Sequence, residues 1–534
     1  MKAPIDVAAV AVTVSGCRWG QAPATWGQAN ILRILAMLRE RAHSANLSEC
    51  VPLPPGTSVA AATAWIRKLL ITFEALRTRY VERDGGWEQI LDGAGSLEVE
   101  LVTTDGQDVM AAAEAEIARL RATPFDLARR WPVRFSLLLR DGYAAGLTFA
   151  CSHAVSDAWG VRALRTALAM PGGPVDPGVQ PLDQAGFETS PAGLRLDERA
   201  AEYWRTQLTA MPRTLFPKPG RSAHEGVRFW YAKFDSPVLS AALPYLARRF
   251  RTNTSVVLYG AFAAALAANA GVDGCPIGLV AANRSRPGTR TALAPYSQLV
   301  PAVVPVSGRD WGAIITGAAG AALTAFRYSA SHPRTAAAVT AEVAQSRGVH
   351  LDLSLWFNDT RATYAAADGG FDPARPPTAG VADWHDRTDR GDSTVFVYVH
   401  GDAAHPTLNV MVDTVRLSRP DAERLLADVE QGLLDAAGTR SAGSLPASVR
   451  WRPSGSGWVR VDGSWVNLPA VEGLVRDCGD WSDVRVRLDG QRLIADVTPR
   501  GGVPDLEAVR RAGLARLPLM PEAIVPHQFA LLRR

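Results

Sequence analysis

A chain of 534 residues exceeds what one hydrophobic core supports, so two or three lobes are predicted. With 47% hydrophobic and 21% charged residues it has the balance of a folded globular protein, which excludes a disordered chain. The net charge is only +4 and the basic residues, nearly all Arg, are interspersed with Asp and Glu, so no nucleic-acid-binding face is expected.

In chain order, MKAPIDVAAVAVTVSG carries Asp6 inside a short apolar stretch and offers no cleavage site, so no export is predicted. Residues 52–80 open on a Pro-rich turn. Ile66, Leu69, Leu70, Phe73 and Leu76 then recur at helical spacing, with Arg77 near the end of the predicted helix. Residues 133–151 read as two strands around Arg-Asp-Gly, a tight hairpin whose second strand leads directly to His153. A helix is predicted after Asp157. The Pro and Gly density of PGGPVDPGVQPLDQ predicts a linker over about 170–195.

A helix around Tyr203 and Trp204 opens the next block. It continues with a helix over 252–269, a strand over 276–282, a strand over 350–357 and a helix over 419–437, an α/β pattern. The apolar run 255–271 contains Tyr259 and Asn269 and suits a buried helix better than a membrane span. Residues 438–457 are again rich in Gly, Ser and Pro, and a small module follows. The division expected is 1–172, 195–438 and 458–534. Five cysteines, at 17, 50, 151, 275 and 478, contain no C-x-x-C pair. They suggest reduced thiols in a cytoplasm, with no metal site.

The chemistry centres on Ser-His-Ala-Val-Ser-Asp (152–157), where His153 and Asp157 have the spacing His-x-x-x-Asp. Roughly half such a match is expected by chance in a chain with nine His, and His385 to Asp389, in a charged, loop-like stretch, is a second one. No phosphate-binding G-x-x-x-x-G-K-[ST] loop, G-x-S-x-G elbow, H-E-x-x-H or dinucleotide fingerprint occurs.

Eight blocks in order separate the two His-x-x-x-Asp matches: FEALRTRY (73–80), PFDLARRWPVRFSLL (124–138), CSHAVSDAWG (151–160), EYWRTQL (202–208), TNTSVVLYGAFAAALA (252–267), VAANRSRPGTR (280–290), SLWFNDTR (354–361) and LNVMVDTVRLSRPDAERLLADVEQGLLDA (408–436). Over about 25–438 the chain resembles the condensation domains of nonribosomal peptide synthetases. The resemblance implies a mixed α/β fold of two chloramphenicol-acetyltransferase-like lobes forming a V around a tunnel. It also implies that substrates arrive on carrier-protein 4′-phosphopantetheine, with no bound cofactor. His153 takes the place of the family's functional histidine. Asp157 takes that of the structural aspartate, whose arginine partner lies in the stretch matched by FEALRTRY, which makes Arg77 the candidate; an ordinary surface arginine is the alternative.

Ser152 stands where the family has a first His, and Ala158 where it has Gly. Trp159 and Gly160 are expected to shape the first turn after the motif. Arg284, Arg286 and Arg290 are read either as an anion site for the pantetheine phosphate or as a solvated loop.

Residues 458–532 resemble the small C-terminal subdomain of adenylating enzymes, in the sequence around Leu468-Pro469-Ala470-Val471-Glu472, the strand near 492–498 and LARLPLMPEAIVPHQF. No Lys follows position 233, so the catalytic lysine of that family has no counterpart and adenylation is not expected. The module is read either as a carrier-protein docking surface or as a fusion relic that stabilises the second lobe.

Together these readings predict a freestanding, cytoplasmic condensation-type acyltransferase of natural-product biosynthesis. It would join a carrier-bound acyl or aminoacyl thioester to an amine that is free or carrier-bound, without nucleic acid or membrane partners. Ester formation on an alcohol, and a catalytically silent domain that recruits a carrier protein or tailoring enzyme, are the alternatives.

Overall fold

The computed structural model describes residues 8–104, 108–169, 173–217, 227–306, 308, 310–361, 371–388, 391–402, 405–438 and 449–532. The chain forms two compact units. The first comprises 1–200, 282–298 and 330–334, and the second comprises 201–281, 299–329 and 335–534. The boundaries expected from composition therefore change in two places. Residues 195–200, 282–298 and 330–334 leave the second lobe for the first, and residues 458–534 form no unit of their own.

The first unit is built on a five-stranded sheet in the order Ala8–Val14, Gly95–Thr103, Val133–Arg140, Tyr143–Cys151, Leu47–Pro52. Its central hairpin turns at Asp141 and Gly142, both with positive φ (50° and 79°), the backbone that a tight two-residue turn requires. The strand Tyr143–Cys151 alternates little because Leu147, Phe149 and Cys151 are all buried on one side and Thr148 and Ala150 on the other. The helix Val59–Thr72, capped by the Ser58 side chain on the Ala61 N–H, buries Ile66, Leu69 and Leu70 completely in this core. A three-stranded sheet, Gly20–Pro23, Gly86–Leu91 and Thr78–Arg83, completes the unit.

The linker expected at 170–195 is helical over much of its length, with Pro181–Glu188 and Pro191–Ala210. Each begins on proline, whose missing N–H costs nothing in a first turn, so residues that read as breakers here open helices. Residues 170–172 lie outside the described residues.

The second unit holds a seven-stranded mixed sheet in the order Gln298–Val300, Gly278–Ala281, Leu355–Asp359, Val395–Gly401, Pro406–Asp413, Phe229–Asp235, Val381–Thr388. The helix Thr254–Ala270 is buried on nearly every side. It starts on an Asn253 cap and stops at Gly271 in the left-handed conformation, as a buried rather than membrane helix should. The helix Arg419–Ala437 has the predicted bounds, between Ser418 and Gly438. The strand expected at 276–282 is two short strands, Gly274–Pro276 and Gly278–Ala281, and that expected at 350–357 begins at Leu355. His385 lies in the edge strand Val381–Thr388 rather than in a loop, while Asp389 falls outside the described residues.

The C-terminal residues form the hairpin Trp458–Val461 and Ser464–Asn467, the helices Leu468–Asp477 and Leu506–Arg516, and the sheet Trp481–Asp489, Arg492–Pro499, Gln528–Leu531. They share one hydrophobic core with the rest of the second unit, in which Val466, Val471 and Val525 join Leu215 and Val349. Arg213 is 2% exposed and donates to the carbonyls of Trp465 (2.6 Å) and Pro521 (2.5 Å). Val525 N–H donates to Gly348 O at 2.8 Å. The expected linker residues 439–448 are outside the described residues. Among the described residues no helix is long and apolar enough to cross a membrane, and all five cysteines are free.

Candidate active site

His153 stands on a single turn between the strand Tyr143–Cys151 and the helix Ala158–Leu168. The turn is fixed by backbone hydrogen bonds, Val155 N–H to Ser152 O (2.9 Å) and Ser156 N–H to His153 O (3.3 Å) within it and Ser152 N–H to Pro132 O (3.0 Å) at its start. From outside the turn, the Tyr80 hydroxyl donates to Ala154 O at 2.9 Å. The histidine itself is half-buried, with Nδ1 2.7 Å from Ser156 O. A carbonyl oxygen can only accept, so Nδ1 carries the proton and the Nε2 lone pair is left to take one. The short loop thus selects the tautomer that a base requires.

Asp157 is 2% exposed and caps the helix that follows. Its Oδ1 accepts from the N–H groups of Trp159 (3.1 Å) and Gly160 (3.0 Å) and from Arg284 Nη2 (2.7 Å). Its Oδ2 accepts from Tyr296 N–H (3.0 Å), Ser297 N–H (3.1 Å) and Ser297 Oγ (2.9 Å). Six donors on one carboxylate hold a buried charge that would otherwise be costly. They come from the helix start and from the segment 284–297, which belongs to the same unit.

The arginine partner of Asp157 is therefore Arg284, not Arg77. Arg77 is neither the partner nor a surface residue. It is 1% exposed and lies past the end of the helix Val59–Thr72, in the short 3₁₀ turn Glu74–Arg77 rather than on the predicted helix; its guanidinium donates to the carbonyls of Leu70 (2.6 Å), Arg18 (3.4 Å) and Asp92, tying that turn to the helix end. Arg284 in turn is withdrawn from any phosphate role. Besides Asp157 it donates to the carbonyls of Thr289 (2.6 Å), Ala292 (2.9 Å) and Ala294 (2.6 Å), and it lies over the Tyr296 ring at 4.9 Å. Arg286 donates to Gln184 Oε1 (2.9 Å) and stacks 3.3 Å over Phe187, and Arg290 is exposed.

The departures from the family motif are accommodated locally. Ser152 is buried, and its Oγ accepts from Ala154 N–H at 3.3 Å. Ala158 is exposed at the first helical position, where a methyl group meets solvent. Trp159 is also exposed, with Arg162 over its ring at 5.2 Å. Gly160 is the tight position: a Cβ there would overlap Ser156 Oγ and lie 3.3 Å from both Ala292 O and Arg284 Nη2. Ser156, Arg284, Tyr296 and Ser297 were not singled out as partners of Asp157 from sequence; the one available signal was an Arg in the matched block 280–290.

The family model described as the Condensation domain matches residues 20–331. The nonribosomal peptide synthetase kk1B of Curvularia clavata is 30% identical over 249 residues, 43% of this chain and 2% of that synthetase. Among solved structures, the condensation domain that mediates chain release from the enacyloxin polyketide synthase superposes with TM-score 0.62 at 17% identity, over 80% of this chain and 84% of that one. An X-domain in complex with OxyB from teicoplanin biosynthesis superposes with TM-score 0.58 at 16% identity, over 79% and 94%. The fold is thus the chloramphenicol-acetyltransferase-like fold of condensation domains.

Proposed function

Because the chain belongs to the condensation-domain family, we propose that it joins an acyl or aminoacyl group, delivered as a thioester on a carrier-protein phosphopantetheine arm, to an amine acceptor, with His153 as the group that handles the acceptor's proton. The observation that carries this reading is the Nδ1 contact to Ser156 O, which leaves Nε2 as an acceptor on a half-buried ring. The amine nitrogen attacks the thioester carbonyl, the C–N bond forms, and the C–S bond breaks. The amine proton passes to Nε2 and from there to the departing thiolate, so the enzyme is regenerated without ATP or metal. Much of the acceleration comes from holding the two reactants in line, with the histidine fixed by a turn that does not have to move.

An alcohol acceptor uses the same proton transfer and gives an ester. The non-catalytic recruiting role has a specific likeness behind it, the X-domain held in a complex. Against it, Asp157 keeps six hydrogen bonds whose geometric result is the position of a histidine that a silent domain has no chemical use for.

The test is intact-mass detection of acyl transfer from a loaded carrier protein to a panel of amines and alcohols, with wild type and His153→Ala. Product with the wild type and at least a hundredfold loss in the variant, about 2.7 kcal/mol of transition-state stabilisation, is expected. Equal rates in both proteins remove His153 from the mechanism. Tight carrier binding with no product from any acceptor replaces the enzyme by the recruiting domain.

A further inference from the structure

We infer that Glu188 is a positioning residue for the His153 turn: it is the middle link of a hydrogen-bonded strut that joins the two ends of that turn, and the strut is tightest while its carboxylate is ionised.

The links are on one side of the fold and all within the first unit. At the histidine end, Ala154 O accepts from the Tyr80 hydroxyl (2.9 Å), and that hydroxyl accepts from Gln28 Nε2 (3.3 Å). Gln28 closes a capping box with Thr25 at the start of the helix Trp26–Leu38, its Oε1 accepting from Thr25 N–H at 2.8 Å. The next backbone donor of that helix, Trp26 N–H, points at Glu188 Oε2, 2.8 Å away. The other carboxylate oxygen, Oε1, accepts from Gln184 Nε2 at 2.7 Å. Gln184 Oε1 accepts from Arg286 Nη1 (2.9 Å) and from the Tyr296 hydroxyl (3.4 Å). Tyr296 N–H donates to Asp157 Oδ2, at the other end of the turn. The two sides also touch directly. A Cβ on Gly27 would overlap the carbonyl oxygen of Pro295, the residue before Tyr296, so the helix start and the segment that grips Asp157 have no slack between them.

Both oxygens of Glu188 face N–H donors. Protonating the carboxyl removes the charge that strengthens both bonds and turns one oxygen into a poorer acceptor, so the links to the helix Trp26–Leu38 and, through Gln184, to Tyr296 weaken. A small cavity of about 30 Å³ lies beside the carboxyl, walled mainly by apolar groups of Trp26, Phe187 and Leu196 with Gln184, Asn283 and Arg286 at its polar side, and it has room for a water to carry the proton. Burial pushes the Glu188 carboxyl up to about 7, and its bonds to Gln184 and Trp26 only partly offset this. Of the charged groups facing it, Arg286 favours the ionised form and Asp197, on the following helix, opposes it; the Trp26–Leu38 helix presents only its backbone N–H. The link therefore gains and loses its charge in the range in which enzymes work.

The rate arm of the test rests on the acyl-transfer reading, and the exchange arm does not. Glu188→Gln is neutral at every pH and sets its NH2 against one of the two N–H donors, so it carries the weakened link throughout. The ratio of wild-type to variant kcat/KM is expected to be about tenfold at pH 8 and within twofold at pH 6; any ionisation of the histidine is common to both proteins and cancels. Hydrogen exchange of the peptide spanning 150–160 should be faster in the variant than in the wild type at pH 8 and equal at pH 6. Gln184→Met, which cuts the neighbouring link, should reproduce both patterns if Glu188→Gln folds poorly. A rate ratio constant from pH 5.5 to 8.5, or unchanged exchange at pH 8, overturns the proposal. A wild type with no transfer activity sinks the functional reading alone and leaves the exchange arm to decide the strut.

Discussion

Asp157 and Arg284 are separated by 127 residues of chain and by 2.7 Å in the fold, with both side chains almost completely buried. Removing one member of such a pair leaves the other charge without its partner and its donors, which costs ~3–5 kcal/mol. Arg284→Ala is therefore expected to lower stability by about that amount and to slow acyl transfer at least tenfold, since the turn carrying His153 loses its anchor. Arg77→Ala should also destabilise, because three carbonyls lose a donor, but should leave the Asp157 hydrogen bonds in place. Denaturant titration together with turnover of the soluble fraction separates the two. Equal effects of both substitutions on turnover per folded molecule would return Arg77 to the motif.

That pair also marks the limit of what the sequence discloses. Elements specified by neighbouring residues were legible. Ser418 and Gly438 bracket the helix Arg419–Ala437, and Asp-Gly turns the hairpin that delivers the chain to His153. Elements decided by distant packing were not. Nothing local distinguishes Arg77 from Arg284, because the choice depends on which guanidinium is carried to the start of the helix Ala158–Leu168. The prolines at 181 and 191 read as breaks because their place at the first position of a helix is visible only once the helix is known.

Gly160 is required by space, not by backbone conformation. In a helix Ala is ordinarily favoured over Gly by ~1 kcal/mol. At this position the new methyl group would overlap Ser156 Oγ, itself buried and donating to Asp157 O at 3.0 Å. Gly160→Ala is expected to cost ~1–3 kcal/mol, the range of an overpacked core site. The double variant Ser156→Ala, Gly160→Ala should recover most of that, since it removes the atom in the way. A double-mutant cycle by thermal or denaturant unfolding reads the coupling directly, and additive effects would show that Ser156 Oγ is not what Gly160 makes room for.

The C-terminal residues behave as part of the second unit's core, and the consequence is measurable. Deleting 445–534 uncovers apolar side chains on both sides of that core and strips Arg213 of the two carbonyls that accept its buried guanidinium. Burial already presses the Arg213 charge down to about 10, so the residue depends on those acceptors. The deletion is expected to give aggregated or grossly destabilised protein, and Arg213→Ala a loss of a few kcal/mol, on the order of two charge-assisted hydrogen bonds. A truncated protein with an unchanged melting temperature and lost carrier binding would instead make these residues a docking surface.

Glu188 supplies the last prediction, on stability rather than rate. Its carboxyl rises from 4.5 to about 7 on folding, chiefly through burial, so the folded state binds the proton more tightly than the unfolded state. The stabilisation this gives is complete below the unfolded value and is lost as pH rises toward the folded one, over a window from roughly 4.5 to 7. A shift of this size corresponds to on the order of 3 kcal/mol. Glu188→Gln has no such proton to lose, and the titrations of all other groups are shared. The stability of the wild type relative to the variant should therefore fall by on the order of 3 kcal/mol between pH 5 and pH 8. Urea unfolding of both proteins at half-unit intervals measures this difference. A difference that grows with pH in the wild type's favour would mean that the carboxylate is held by its donors more strongly than burial opposes it, with an ordinary or depressed proton affinity.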